Sequence, residues 1–270
     1  MARSLAAAAI LWLTGCAAAV QDPAEPAPER LAASVVLLYM PGSTQEFRED
    51  PCSWKSGEML GRTPLWFRSL NGTEIGGWPV YATTYCTPTK VGMFDHKTKS
   101  GKLKVVKRAE DICNRVRELQ NKGVPPNRIF LVGNSAGAWA SLLVAVDHAE
   151  EFNALIGMAP AFAGREGGRK EGWTWVRGQQ IEKISAAPGI DGLIFAFEGD
   201  RFEGPDDLDF LDRIADIEFV PLPIYNMDGH LCGRGGSAHA RHHRPCFARS
   251  QLPRILKFIE DRLPASPATS

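Results

Sequence analysis

Apolar residues fall in short unbroken runs along this chain, and between the runs they recur at helical spacing. The run at 34–39 (SVVLLY) stops at Met40, Pro41 and Gly42, and 78–85 (WPVYATTY) is a second strand candidate. Residues 102–122 place Val105, Ala109, Ile112, Val116 and Leu119 on one helical face. Gly123 stops that helix, Pro125, Pro126 and Asn127 turn the chain, and 128–132 (RIFLV) follows as a buried strand. An Ala- and Leu-rich helix is expected over 136–148. Further strands are expected over 153–158 (NALIGM), 192–197 (GLIFAF) and 219–225 (FVPLPIY), and helices near 178–186, 207–216 and 251–263. Strands that are apolar throughout are buried on both faces. Their alternation with helices predicts an α/β fold, a mostly parallel sheet of about six strands with helices on both faces.

Composition excludes several classes. With 44% apolar residues among 270, the chain is not a disordered one, and its length fits one large domain. Its 31 basic residues balance 31 acidic ones, which argues against a generic nucleic-acid binder. Outside the N-terminus no apolar run approaches the length of a membrane span, and no internal repeat is visible.

The first 16 residues have a different character from the rest. One basic residue, Arg3, precedes an apolar run over 5–13, the layout of a secretory signal peptide. The run closes on Leu13, Thr14, Gly15 and Cys16, which resembles a bacterial lipobox. That resemblance implies cleavage before Cys16, lipidation of its thiol, and a membrane partner reached through the lipid anchor. Ala17, rather than Asp, after the cysteine implies the outer membrane, facing the periplasm. Residues 17–33, with three prolines and no aromatic, read as an extended tether, 34–263 as the folded domain, and 264–270 as a frayed tail.

Export makes disulfides plausible. Cys52 pairs with Cys86 and Cys232 with Cys246 in the reading adopted from their positions, leaving Cys113 as a buried thiol on a helix. Spacing alone does not fix that connectivity. Cys232, His239, His242, His243 and Cys246 are also metal-ligand types within 15 residues. Their spacing fits no familiar zinc module, so a disulfide-closed, His-rich surface loop is preferred and no metal is expected.

The chemistry is concentrated in Gly133, Asn134, Ser135, Ala136 and Gly137, a G-x-S-x-G between a strand and a helix. A serine on a sharp strand-to-helix turn stands clear of the backbone, and small residues two positions either side let strand and helix pass. In this context the chain resembles the α/β-hydrolase family over nearly all of 34–263. The resemblance implies a serine nucleophile, Ser135, followed in the chain by an acid and then a histidine. His96 precedes the elbow, and His148 lies at the far end of the helix that Ser135 begins. His230, just past the last strand, matches the family's base position, with His239 as its rival. Asp200, after GLIFAF, is the favoured acid, with Glu198 and Asp207 left open; Asp206 or Asp207 is also expected to cap the next helix.

The same resemblance implies two N–H donors for an oxyanion. One is Ala136, after the nucleophile. The other lies in the loop after 34–39 and is Ser43 or, alternatively, Thr44. If 34–39 is the family's third strand, the first two are missing and the sheet is a reduced one.

The expected function is a serine hydrolase that cleaves a carboxylic ester, small-molecule or polymer, through an acyl-enzyme and with no cofactor. A peptidase or thioesterase on the same machinery, or a non-catalytic envelope binding protein, are the alternatives. Phe47, Trp54, Trp66, Phe67, Phe162, Trp173 and Trp175 read first as local core and second as a cleft for an acyl, aryl or sugar group. Arg165, Arg169, Lys170 and Arg177 read as a solvated basic loop before an anion site.

Overall fold

The structure, a computed structural model, describes residues 24–42, 63–86, 103–162, 173–224, 232 and 238–266. Its strands are β1 (Val35–Met40), β2 (Glu74–Ile75), β3 (Trp78–Thr84), β4 (Ile129–Asn134), β5 (Ala154–Met158), β6 (Gly192–Phe197) and β7 (Ile217–Leu222). Its α-helices are α1 (Pro28–Ala32), α2 (Leu65–Arg68), α3 (Lys104–Asn121), α4 (Ala136–Asp147), α5 (Trp173–Ser185) and α6 (Pro245–Glu260). Two 3-10 helices, Asp206–Arg213 and Ala238–His243, bracket β7.

The strands form one seven-stranded sheet in the order β2-β3-β1-β4-β5-β6-β7. Six are parallel, as the continuous apolar runs predict, and β2 adds a short antiparallel edge to β3 across the Gly76–Gly77 turn. Two-residue β2 left no periodic signal in the sequence; the Gly-Gly pair was its trace.

Burial on both faces accounts for the parallel sheet. Along β1, Val36, Leu38 and Met40 point into one core with Ile112, Val116 and Leu119 of α3, Leu142 and Leu143 of α4 and Ile184 of α5. Val35, Leu37 and Tyr39 point into the other with Trp66 and Phe67 of α2 and Phe247, Ile255 and Phe258 of α6. Every β1 residue is buried, so the side-chain alternation serves two cores and not core and water. This is a reduced α/β-hydrolase fold.

Several boundaries differ from expectation. The last strand ends at Leu222, not 225, and Pro221 lies within it; β7 pairs only with β6, so the missing N–H of Pro221 costs no ladder bond at an edge. The last helix begins at Pro245, six residues early, because proline at the first helical position gives up no hydrogen bond the helix needs. Exposed Pro253 does not end it. The described part of the segment expected as a tether is held by the fold: Leu31 is fully buried, and Glu25 pairs with Arg115 at 2.7 Å and with Lys122. The tail is held as far as Ser266, whose Oγ donates to the Gly77 carbonyl at 3.0 Å. Among the described residues no helix is long and apolar enough to cross a membrane.

Candidate active site

Chain order and strand order part company at β1 and β4. From β1 the chain moves outward to β3, then crosses back to β4 and continues to β7. In open α/β sheets the crevice outside the carboxyl ends of strands at such a reversal is where ligands bind. Here the two segments at that point are Pro41–Gly42, after β1, and Ser135, after β4.

Ser135 has φ 54° and ψ −126°, a left-handed conformation that a side-chain-bearing residue adopts only under constraint. The constraint is visible. Its N–H donates to the Met158 carbonyl at the end of β5 at 3.0 Å, and its carbonyl accepts from Trp139 at 3.0 Å and Ala161 at 3.2 Å. From Ile129 to Ala145 every residue is buried except Ser135. Its hydroxyl makes no capping bond to α4.

The two glycines of G-x-S-x-G are required by close approach. A Cβ on Gly137 would lie 2.2 Å from the Met40 carbonyl oxygen, and one on Gly133 would lie 2.6 Å from the Ala138 backbone. Gly42 closes the other side of the nucleophile: a Cβ there would sit 2.9 Å from Ser135 Cβ and 3.4 Å from its Oγ. The loop after β1 therefore runs against the serine hydroxyl. The N-terminus of α4, with the Ala136 N–H in its first turn, points at the same place with its positive end. Ser43 and Thr44 lie outside the described residues.

The acid and a histidine meet at the same sheet edge, two strands along. Asp200 follows β6 after the Glu198–Gly199 turn, and its side chain is fully buried. One carboxylate oxygen accepts the Phe202 N–H at 2.9 Å; the other lies 2.7 Å from Nδ1 of His239. A carboxylate oxygen accepts, so Nδ1 carries the hydrogen and Nε2 keeps the basic lone pair. The His239 ring packs on Phe202, with centroids 4.3 Å apart. The acids left open in the sequence serve other partners. Glu198 is exposed and accepts the Ile224 N–H at 2.9 Å, and Asp207 accepts the Gly204 N–H at 2.9 Å.

His230, the favoured base, lies outside the described residues, and the histidine that Asp200 meets is its rival His239. Both oxygens of Asp200 are engaged, by His239 and by Phe202. The sequence carried a signal for this: His239 stands midway between Cys232 and Cys246, whose disulfide spans a sequence separation of 14. The bridge takes both thiols of the Cys/His cluster and leaves that cluster no thiolate ligand for a metal. Cys86 is also disulfide-bonded, with its partner outside the described residues, and Cys113 is a buried free thiol.

The loop between the cysteines is not a surface loop throughout. His242 is fully buried beneath the site, with Nε2 3.3 Å from the Tyr39 hydroxyl and its carbonyl accepting from Trp66 Nε1 at 2.8 Å. Burial, and then the neighbouring His243, hold its pKa well below the usual histidine value. Burial, helped by Arg244 and Arg68, holds His243 down to about 4. Arg177 is likewise not part of a solvated basic loop: its guanidinium grips the buried Glu203 carboxylate at 2.7 and 3.1 Å. Arg165, Arg169 and Lys170 lie outside the described residues. Of the candidate cleft aromatics, Trp66, Phe67 and Phe162 are core, whereas Trp175 is exposed.

One other group of metal-ligand types is gathered among the described residues: Cys113, His148 and Glu151, at the far end of α4. Arg117 already bonds the Glu151 carboxylate at 2.6 Å. Burial, reinforced by Glu151, pushes the Cys113 thiol up to about 11. The cluster is a closed ion-pair network with no vacant anionic ligand for a cation.

The fold recurs in solved structures of low sequence identity. DcsB in complex with its substrate analogue aligns with a TM-score of 0.57 at 12% identity, over 85% of this chain and 91% of that one. The monoacylglycerol lipase of Paleococcus ferrophilus gives 0.53 at 13% identity, over 84% and 94%. The Thermogutta terrifontis esterase Est2 with bound butyrate gives 0.51 at 17%, over 89% and 85%. No protein-family profile and no curated protein matches the chain.

Proposed function

We propose that this protein is a serine hydrolase acting on carboxylic esters, with Ser135 as nucleophile, His239 as general base and acid, and Asp200 as the group that orients His239. The observation that carries the reading is the strained, half-buried Ser135 at the switch point, on the same sheet edge as the pair of buried Asp200 and half-buried His239. A phosphate cradle would not need a serine at positive φ or an aspartate-bound imidazole at the same edge of the sheet. The esterases and the lipase that share the fold make ester chemistry the first choice.

In this mechanism Ser135 Oγ attacks the ester carbonyl carbon while its proton passes to Nε2 of His239. The carbonyl oxygen becomes an oxyanion, held by the Ala136 N–H and by a second N–H from the loop that Gly42 begins, Ser43 or Thr44. Collapse breaks the bond to the alcohol oxygen, which takes the proton from His239. Water then attacks the acyl-enzyme, gives its proton to His239, and the acid leaves as Ser135 recovers its hydrogen. Asp200 stabilises the imidazolium in both halves.

Envelope anchoring through lipidated Cys16 is part of the same proposal and rests on the order of Leu13, Thr14, Gly15 and Cys16 at the end of the signal-like run.

A fluorophosphonate probe tests the nucleophile: wild type is labelled, and Ser135→Ala is not. Absence of labelling of folded wild type overturns the reading. Hydrolysis of a p-nitrophenyl ester tests the base. His239→Ala is expected to lower kcat by at least about a hundredfold, the lower end for lost general-base catalysis, while His230→Ala leaves it within a few fold. The opposite outcome returns the base to His230.

A further inference from the structure

Arg108 is a buried cation that the proposed chemistry does not use. It lies in the first half of α3 and is 4% exposed, yet its bond goes not to a carboxylate but to backbone: Nη2 donates to the Pro41 carbonyl. Its Nε is buried with no hydrogen-bond partner among the described residues. Burial pushes its pKa down to about 10, against the opposing pull of Tyr39 and Asp111. Asp111, one turn further on, is engaged by Lys107 at 3.0 Å. A guanidinium held this deep, with no carboxylate bonded to it among the described residues, is costly to desolvate.

What Arg108 holds is the start of the loop beside the nucleophile. The Pro41 carbonyl belongs to the same planar peptide as the Gly42 N–H, and in a trans peptide the two point in opposite directions. Fixing one fixes the other. That peptide is clasped from two sides, because the Met40 and Pro41 carbonyl oxygens are also the atoms that a Cβ on Gly137 would strike, at 2.2 and 2.9 Å. Gly42 in turn is the residue packed against Ser135. A cation on the carbonyl also polarises the amide, which makes its N–H a stronger donor.

We propose that Arg108 is a positioning residue for the Pro41–Gly42 peptide beside the nucleophile: from α3 it orients and polarises the peptide that packs against Ser135. This rests on the serine-hydrolase reading. Its part is to keep the loop preorganised before charge develops on the substrate, so its loss affects the transition state more than substrate binding.

The test compares Arg108→Met, which keeps length, with Arg108→Lys, which keeps a cationic donor. In ester hydrolysis by folded protein, Arg108→Met is expected to lower kcat ten- to a hundredfold with KM within about twofold. Removing an oxyanion donor outright costs about 10²–10³, and misaiming a loop costs less. Arg108→Lys is expected to recover most of that loss. Folded Arg108→Met with unchanged kcat overturns the proposal. So does a loss of kcat that tracks lowered thermal stability in both variants, since a purely structural role would do that. If wild type is not labelled by the fluorophosphonate, it is the hydrolase reading that fails, and the Gly42 amide nitrogen resonance then decides. A clear shift in Arg108→Met supports the orienting bond, and an unmoved resonance overturns it.

Discussion

His242 and His243 show how much a single residue's surroundings change its chemistry. The two are adjacent, their rings are 4.1 Å apart, and both are held neutral by burial beneath the site. Their pKa values are lower folded than unfolded, where histidine titrates near 6.5. Below about pH 6.5 the unfolded chain therefore binds protons that the folded chain refuses. Stability falls as pH drops from about 6.5 toward 4, by at most about 1.4 kcal/mol per pH unit for each histidine. Urea unfolding at pH 7 and pH 5 measures this. His242→Asn is expected to be less stable at pH 7, having lost its place beside Tyr39, but to lose less on acidification. An equal loss in variant and wild type places the acid sensitivity elsewhere. The sequence marked these histidines as a cluster but gave no sign of their depth, because burial here comes from Tyr39 and Trp66, which are remote in the chain.

At the scale of elements, the segment between β7 and α6 carries the proposed base and is closed by a disulfide. Cys232 and Cys246 bridge its ends, and His239 rides on the 3-10 turn between them. Chain order required a histidine after the acid, but four histidines follow Asp200, and order cannot choose among them. Among the described residues the buried carboxylate of Asp200 meets His239, the observation on which the proposed assignment rests. The elbow around Ser135 was legible for the opposite reason: strand, turn and helix at 129–147 are contiguous, so local sequence specifies it. The short span suggests a measurable division of effects. Opening the disulfide with Cys232→Ser and Cys246→Ser together is expected to cost about 3 kcal/mol of stability, the value for a loop of about 15 residues. It is also expected to lower kcat at least tenfold at temperatures where the protein stays folded, with fluorophosphonate labelling slowed in proportion. Full activity in the folded double variant would show that Phe202 and Asp200 hold His239 without the bridge.

On the scale of the whole molecule, the sheet separates two ends. Arg108 at the start of α3 touches the loop at the carboxyl edge of β1, whereas Lys122, past its end, leads toward the amino edge of β4. Arg108 and Lys122 are about 20 Å apart along the helix. Glu25 is pinned to Arg115 and Lys122, on the half of α3 away from Ser135. The sequence made all of 17–33 a tether because proline and alanine dominate it; it could not reveal that Leu31 finds a slot in the α3 core. With Cys16 lipidated as proposed, the chain enters the fold at Glu25 on the half of α3 away from Ser135, an arrangement that would keep the site clear of the bilayer. The expected consequence is that the lipidated protein on phospholipid vesicles hydrolyses a water-soluble ester with kcat/KM within about twofold of its Cys16→Ser form in solution. A tenfold or greater loss on the vesicle would mean that the mouth faces the bilayer, and would direct the search for the natural ester toward the lipids themselves.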